Sequence, residues 1–226
     1  MVKRIYRGSA ARIEQPVFGA GNPSNDYGLG FYCTESLDLA LELAVDDERG
    51  GFANAYDIQM DGLDVLDLSA GGTCCDLQWL AVLLENRTFD TASALAREAK
   101  DFLLANFLPD YRDRDVIVGY RADDSYFAFA QDFISGGISY RQLGNAMRLD
   151  ELGLQFVVKS RRAFERLEFV EAVAARSDEW AASRRARDAQ ARHAYLDAER
   201  HRRQRGDLFI AQIIDEEMRL DDPRLR

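Results

Sequence analysis

Histidine is almost missing from this chain: there are two, His193 and His201, and both lie in a charged C-terminal stretch. A Ser/His/Asp triad or a histidine-rich metal site would need residues that the main part of the chain lacks, so no metal is expected. Cysteine is scarce too. Cys33 and the adjacent Cys74 and Cys75 form neither an even disulfide set nor a CxxC pair, and all three are read as reduced thiols. No apolar run reaches the length that crosses a bilayer, and the opening MVKRIYRGS has no extended apolar core of the export type, so a cytoplasmic protein without a membrane partner is expected. Basic residues are outnumbered, 29 against 39 acidic ones, and a formal charge of -10 argues against general attraction to nucleic acid or anionic lipid. A Rossmann fingerprint is missing as well: Gly19, Gly21, Gly28 and Gly30 precede a strand, whereas GxGxxG must join a strand to a helix.

What is present suffices for one catalytic-sized core with a smaller appendage, since 47% of the residues are hydrophobic and 11% aromatic. Lys3 to Tyr6 is β-prone and runs into Arg7-Gly8-Ser9, read as a strand end and turn. Phe18 to Gly30 is a loop rich in glycine and asparagine. It leads into a strand at Phe31-Tyr32-Cys33, with Thr34 or Ser36 as the N-cap of a helix over Leu37 to Ala44. Phe52 to Met60 and Leu63 to Leu68 flank Asp61-Gly62, a pattern that predicts a hairpin. Helical spacing predicts two helices between Cys75 and Phe107. Asp115 to Tyr120 reads as a strand followed by an exposed acidic turn beside buried aromatics, and Leu154 to Ser160 and Leu167 to Val170 as further strands. Five or six strands with interspersed helices make an α+β fold.

From Glu171 the composition turns to Ala, Arg, Asp and Glu, dividing the chain into residues 1–170 and a helical extension, 171–226. Asp188 with Arg192 and Glu199 with Arg203 share helical faces, as in a long solvated helix. This helix is expected to stop near Gly206. Asp207 would then cap a second helix whose stripe of Phe209, Ile210, Ile213, Ile214 and Met218 requires a partner surface.

Three segments stand out in order: Tyr6-Arg7-Gly8-Ser9, Asp26-Tyr27-Gly28-Leu29-Gly30-Phe31-Tyr32-Cys33-Thr34, and Leu154-Gln155-Phe156-Val157-Val158. This order resembles the ADP-ribosyltransferase superfamily. The chain is more closely similar to a bacterial family near it, domain of unknown function 3990, over roughly residues 1 to 170. The resemblance implies a split antiparallel β-sheet core with flanking helices. It also implies NAD as substrate, and a toxin or effector that transfers ADP-ribose to a protein or nucleic-acid acceptor.

Cleaving the nicotinamide-ribose bond requires a grip on the carboxamide, neutralisation of the pyrophosphate and stabilisation of an oxocarbenium-like ribose. Arg7 offers a planar cationic fork for phosphate or ribose oxygens, and Gly8 a backbone without a Cβ in the way. Tyr32 and Tyr27 offer aromatic faces, Thr34 and Ser9 hydroxyls, and Gly30 and Phe31 complete the NAD-binding set implied by the resemblance. Gln155 stands where the superfamily most often has glutamate, and an amide carries no charge. Asp123, Asp124 or Glu151 would then bring the carboxylate from a neighbouring loop.

Blander readings stand beside these. Arg7-Gly8-Ser9 also fits an ordinary turn, Gly28 to Thr34 a structural loop with a core tyrosine, Asp123 and Asp124 a solvated turn or helix cap, and Gln155 a satisfied strand residue. Three other functions stay open: hydrolysis of NAD in place of transfer, a catalytically silent NAD- or nucleotide-binding module, and a toxin-antitoxin protein whose C-terminal helices dock an antitoxin or other partner.

Overall fold

The computed structural model describes residues 1–69, 75–122, 124–147, 153–200 and 204–225, with backbone alone at 124–126, 188 and 190–200. The fold is α+β, with two sheets among the described residues. In the first, β1 (Val2–Ser9) and β7 (Leu167–Ala175) flank β3 (Gly51–Gln59), all antiparallel, with a bulge at Ala55/Tyr56. The second runs in the order β2 (Phe31–Cys33), β6 (Leu154–Val158), β5 (Val116–Tyr120), β4 (Val65–Asp67). Since β4 lies parallel to β5, this sheet is mixed rather than wholly antiparallel.

Period-two alternation explains the layering. Phe156 and Val158 join Ile5, Tyr56 and Ile58 in an apolar cluster between the sheets, while the intervening Val157 joins Ile117 in the main core on the opposite face. That core is covered by α2 (Asp76–Asn86), α3 (Ala94–Phe107), α4 (Asp124–Ile134) and α5 (Tyr140–Met147), which contribute Trp79, Leu80, Leu103, Phe133 and Leu143. On the outer face of the first sheet, α1 (Leu37–Ala44) sets Ala40, Leu41 and Ala44 against Ala53 and Ala175. Of the two candidate caps, Ser36 is the one used: its hydroxyl accepts from the Leu39 N–H at 3.2 Å.

Several expectations need correction. Arg7 and Gly8 lie inside β1, paired with Asn54 and Ala53, rather than in a turn. The hairpin across Asp61-Gly62 does not form, because both edges of β3 are occupied by β1 and β7. The chain is drawn instead to β5: the Asp64 carbonyl accepts from the N–H groups of Asp115 and Val116, and the Asp115 carboxylate accepts from the Asp64 N–H at 2.8 Å.

The charged helix, α7 (Ser177–Arg200), is docked over its first half. Ala181 is buried beside Trp180, and Arg187 donates to Glu42 of α1 at 2.5 and 3.0 Å. The pairs Asp188/Arg192 and Glu199/Arg203 lie outside the described side chains. Asp207 does not cap α8 (Ile210–Asp215), whose N-cap is Phe209. It accepts instead from Arg141 at 2.8 and 2.9 Å and from the Gln204 N–H. The stripe needs no outside partner: Ile210, Ile213 and Met218 are buried in the same core as Trp79 and Phe133, each worth about 1.5–3 kcal/mol of transfer free energy. Among the described residues no helix is long and apolar enough to cross a membrane.

Candidate functional site

The two sheets are joined where Tyr6 and Thr34 exchange backbone hydrogen bonds, at 2.7 and 2.8 Å. Beside this junction is a cavity of about 310 Å³, and all three sequence segments reach it: Arg7 and Gly8 from β1, Tyr32 and Thr34 from the β2 run, and Gln155 from the start of β6. Pairing of Cys33 with Phe156 brings the second and third segments side by side. Arg7 is held in place by donating to the Tyr32 carbonyl at 2.8 Å, with its guanidinium 5.2 Å from the centre of the Phe31 ring.

Gln155 is not a satisfied strand residue. Its Oε1 is buried and has no hydrogen-bond partner among the described residues, a state that costs roughly 1–3 kcal/mol until something donates to it. The Tyr32 hydroxyl, by contrast, is engaged: it donates to the Gly28 carbonyl at 2.6 Å and accepts from the Tyr27 N–H at 3.0 Å. Burial raises its pKa. Thr34 uses Oγ1 to accept from the Ser36 N–H at 3.2 Å.

Other expected site residues are placed elsewhere or serve the fold. Gly8 lines the cavity, but a Cβ there would strike the Ala40 carbonyl and stand 2.9 Å from Ala44 N, so close packing of α1 on β1 already requires glycine. Tyr27 is a core residue, 1% exposed, donating to the Tyr120 carbonyl at 2.6 Å and accepting from the Trp79 indole. Gly30 and Ser9 do not line the cavity. A Cβ at Gly30 would lie 2.6 Å from Val157 Cγ1, and the Ser9 hydroxyl donates to the Ala11 carbonyl. Phe31 serves beneath Arg7, not as a wall. Asp123 and Glu151 lie outside the described residues; Asp124 opens α4, its side chain undescribed.

Three charged lining residues were not among the expected site residues: Asp26, Arg87 and Arg121. Asp26 is 4% exposed and accepts from Arg87 Nη1 at 2.7 Å and from the Ala122 N–H at 3.0 Å. Burial raises its pKa, opposed by the Ala122 N–H and then by the charges of Arg87 and Arg121. The signal was available for Asp26, which stands inside the second segment. Arg87 and Arg121 follow an ordinary helix and an ordinary strand, and nothing local marks them. Cys33 also lines the cavity, its thiol pushed up to about 12 by burial and so inert as a nucleophile at neutral pH.

The described lining thus holds three guanidinium groups and one carboxylate in a chain of formal charge -10. It suits an anionic ligand that also presents a hydrogen-bond donor to Gln155. No curated protein and no solved structure matches the chain. Residues 3–169 match the family described as protein of unknown function DUF3990, and the chain belongs to that family.

Proposed function

We propose that the cavity binds NAD and that the protein is an NAD-dependent ADP-ribosyltransferase, of the toxin or effector kind, with a protein or nucleic-acid acceptor. The carrying observation is convergence: Arg7, Tyr32 and Gln155, distant in sequence, line one cavity, and the buried Gln155 Oε1 has no donor among the described residues. Arg7 answers to phosphate or ribose oxygens and Gln155 to a ribose hydroxyl or carboxamide N–H. Two sheets joined at Tyr6 and Thr34 are compatible with a split-sheet core of the ADP-ribosyltransferase type, from which the parallel β4 departs. The test is labelled NAD with total lysate, followed by separation of protein and nucleic acid. Wild type should label one fraction, and Arg7→Ala, checked for folding by circular dichroism, should lose roughly 100-fold or more. Absence of NAD binding and of nicotinamide release with wild type rejects the reading.

One observation favours a second reading, a silent NAD- or nucleotide-binding module. Gln155 carries no charge, and the carboxylate of Asp26 is already engaged by Arg87 and Ala122. Calorimetry separates the two: NAD binding without turnover, unaltered by Gln155→Glu, selects the module.

A further inference from the structure

Arg87 follows the last residue of α2, and its guanidinium is fixed on two sides, by Asp26 at 2.7 Å and by the face of Phe127, 5.5 Å from the ring centre. A fork oriented in advance loses little freedom when it takes up a ligand oxygen. Its partner is a nearly fully buried carboxylate, on which Arg121 also acts through its charge. Arg121 lines the same cavity as Arg87 and Asp26, and Arg7 adds a third cation to it.

We propose that Arg87, positioned by Asp26 and supported by Arg121, forms an anion subsite that takes the phosphate oxygens of a nucleoside diphosphate. This assignment rests on reading the cavity as a nucleotide site and adds to it a phosphate anchor outside the three sequence segments. Asp26 is a positioning residue: it orients Arg87 and offsets part of its charge, so that affinity for a lone small anion stays modest while a diphosphate bridging several cations is held.

Calorimetric titration tests this with ADP, adenosine and inorganic pyrophosphate as probes. Wild type should bind ADP at least tenfold more tightly than adenosine, weaken several-fold from 50 to 300 mM salt, and show competition between pyrophosphate and ADP. The double variant Asp26→Asn/Arg87→Gln keeps a neutral hydrogen-bonding pair in place of the ion pair and should lose at least tenfold for ADP and less than threefold for adenosine. Equal affinity of wild type for ADP and adenosine, binding of neither at millimolar concentration, or a folded double variant with wild-type ADP affinity overturns the subsite. Should the double variant not fold, the wild-type comparison and its salt dependence decide alone. Diphosphate binding without nicotinamide release sinks the transferase reading and leaves the subsite standing; turnover of NAD with ADP affinity insensitive to the double change does the reverse.

Discussion

Gln155 lies directly across from Gly119 in the pairing of β5 with β6, and the space a side chain at Gly119 would fill is taken by the Tyr27 ring. Gly119 offers the amide nothing to bond, and the Tyr27 hydroxyl donates to the Tyr120 carbonyl. Among the described residues the buried Oε1 of Gln155 has no hydrogen-bond partner.

Replacing Gln155 with Met removes the orphaned acceptor while keeping most of the volume. The apo protein should gain about 1 kcal/mol in urea unfolding, because an unmet buried polar atom is withdrawn. If Gln155 serves a ligand, the same variant should lose the rise in Tm that NAD gives wild type. A variant that is less stable without ligand, or that keeps the NAD response, contradicts the role assigned to this side chain.

The C-terminal helices should prove integral to the fold. Ile213→Ala removes a fully buried side chain of α8, the helix that packs on α3, and should cost about 2–5 kcal/mol, read by chemical denaturation. Truncation after Val170 would also strip the pairing of Glu171 through Ala175 with Gly51 through Ala55, and should leave a chain that does not refold. A truncated chain with cooperative unfolding near the wild-type midpoint would show the extension to be dispensable.

Cys33 and Cys75 should be separable by labelling. At pH 8 a maleimide should modify half-buried Cys75 and spare Cys33, whose thiol burial holds at about 12, until denaturant is added. Peptide mapping by mass spectrometry gives the answer; native labelling of Cys33 would mean that the cavity opens well beyond the described geometry.

Several strands and helices were legible where one face meets the core, whereas α4 and α5, which carry Phe133 and Leu143 into that core, were not, α4 having been expected as an exposed acidic turn. Phe156-Val157-Val158 alternates as it should, and the Ser36 cap announces α1. Pairing failed as well. Asp61-Gly62 is a sound hairpin signal locally, but β3 has two other partners from far along the chain, and no short-range pattern encodes that competition. The candidate site divides in the same way. Arg7, Tyr32 and Gln155 are marked by their segments, whereas Arg87 and Arg121 reach the cavity only through the way α2 and β5 pack. Tyr27 went astray for a related reason: it stands in a glycine-rich loop, yet the indole of Trp79 and the gap left by Gly119 draw it into the core.

Asp26 makes the stability of this site depend on pH in an unusual direction for a salt-bridged carboxylate. Burial raises its folded-state pKa above the ordinary 3.8 in spite of Arg87 and the Ala122 N–H. The folded chain therefore takes up a proton at a pH where the unfolded chain does not, and the stabilisation from that uptake is complete below 3.8 and lost as pH rises through the raised value. The variant Asp26→Asn has no such uptake. Stability of wild type relative to Asp26→Asn should accordingly increase as pH falls from 7 to 4, with the other carboxylates cancelling in the difference. At pH 7 the variant should cost well under the roughly 3–5 kcal/mol usual for breaking a buried pair, because the Arg87 side chain is 33% exposed and water can solvate it. Urea unfolding of both proteins at pH 4 and pH 7 measures this directly. A wild-type advantage that shrinks on acidification would mean that the pairing with Arg87, rather than desolvation, governs Asp26.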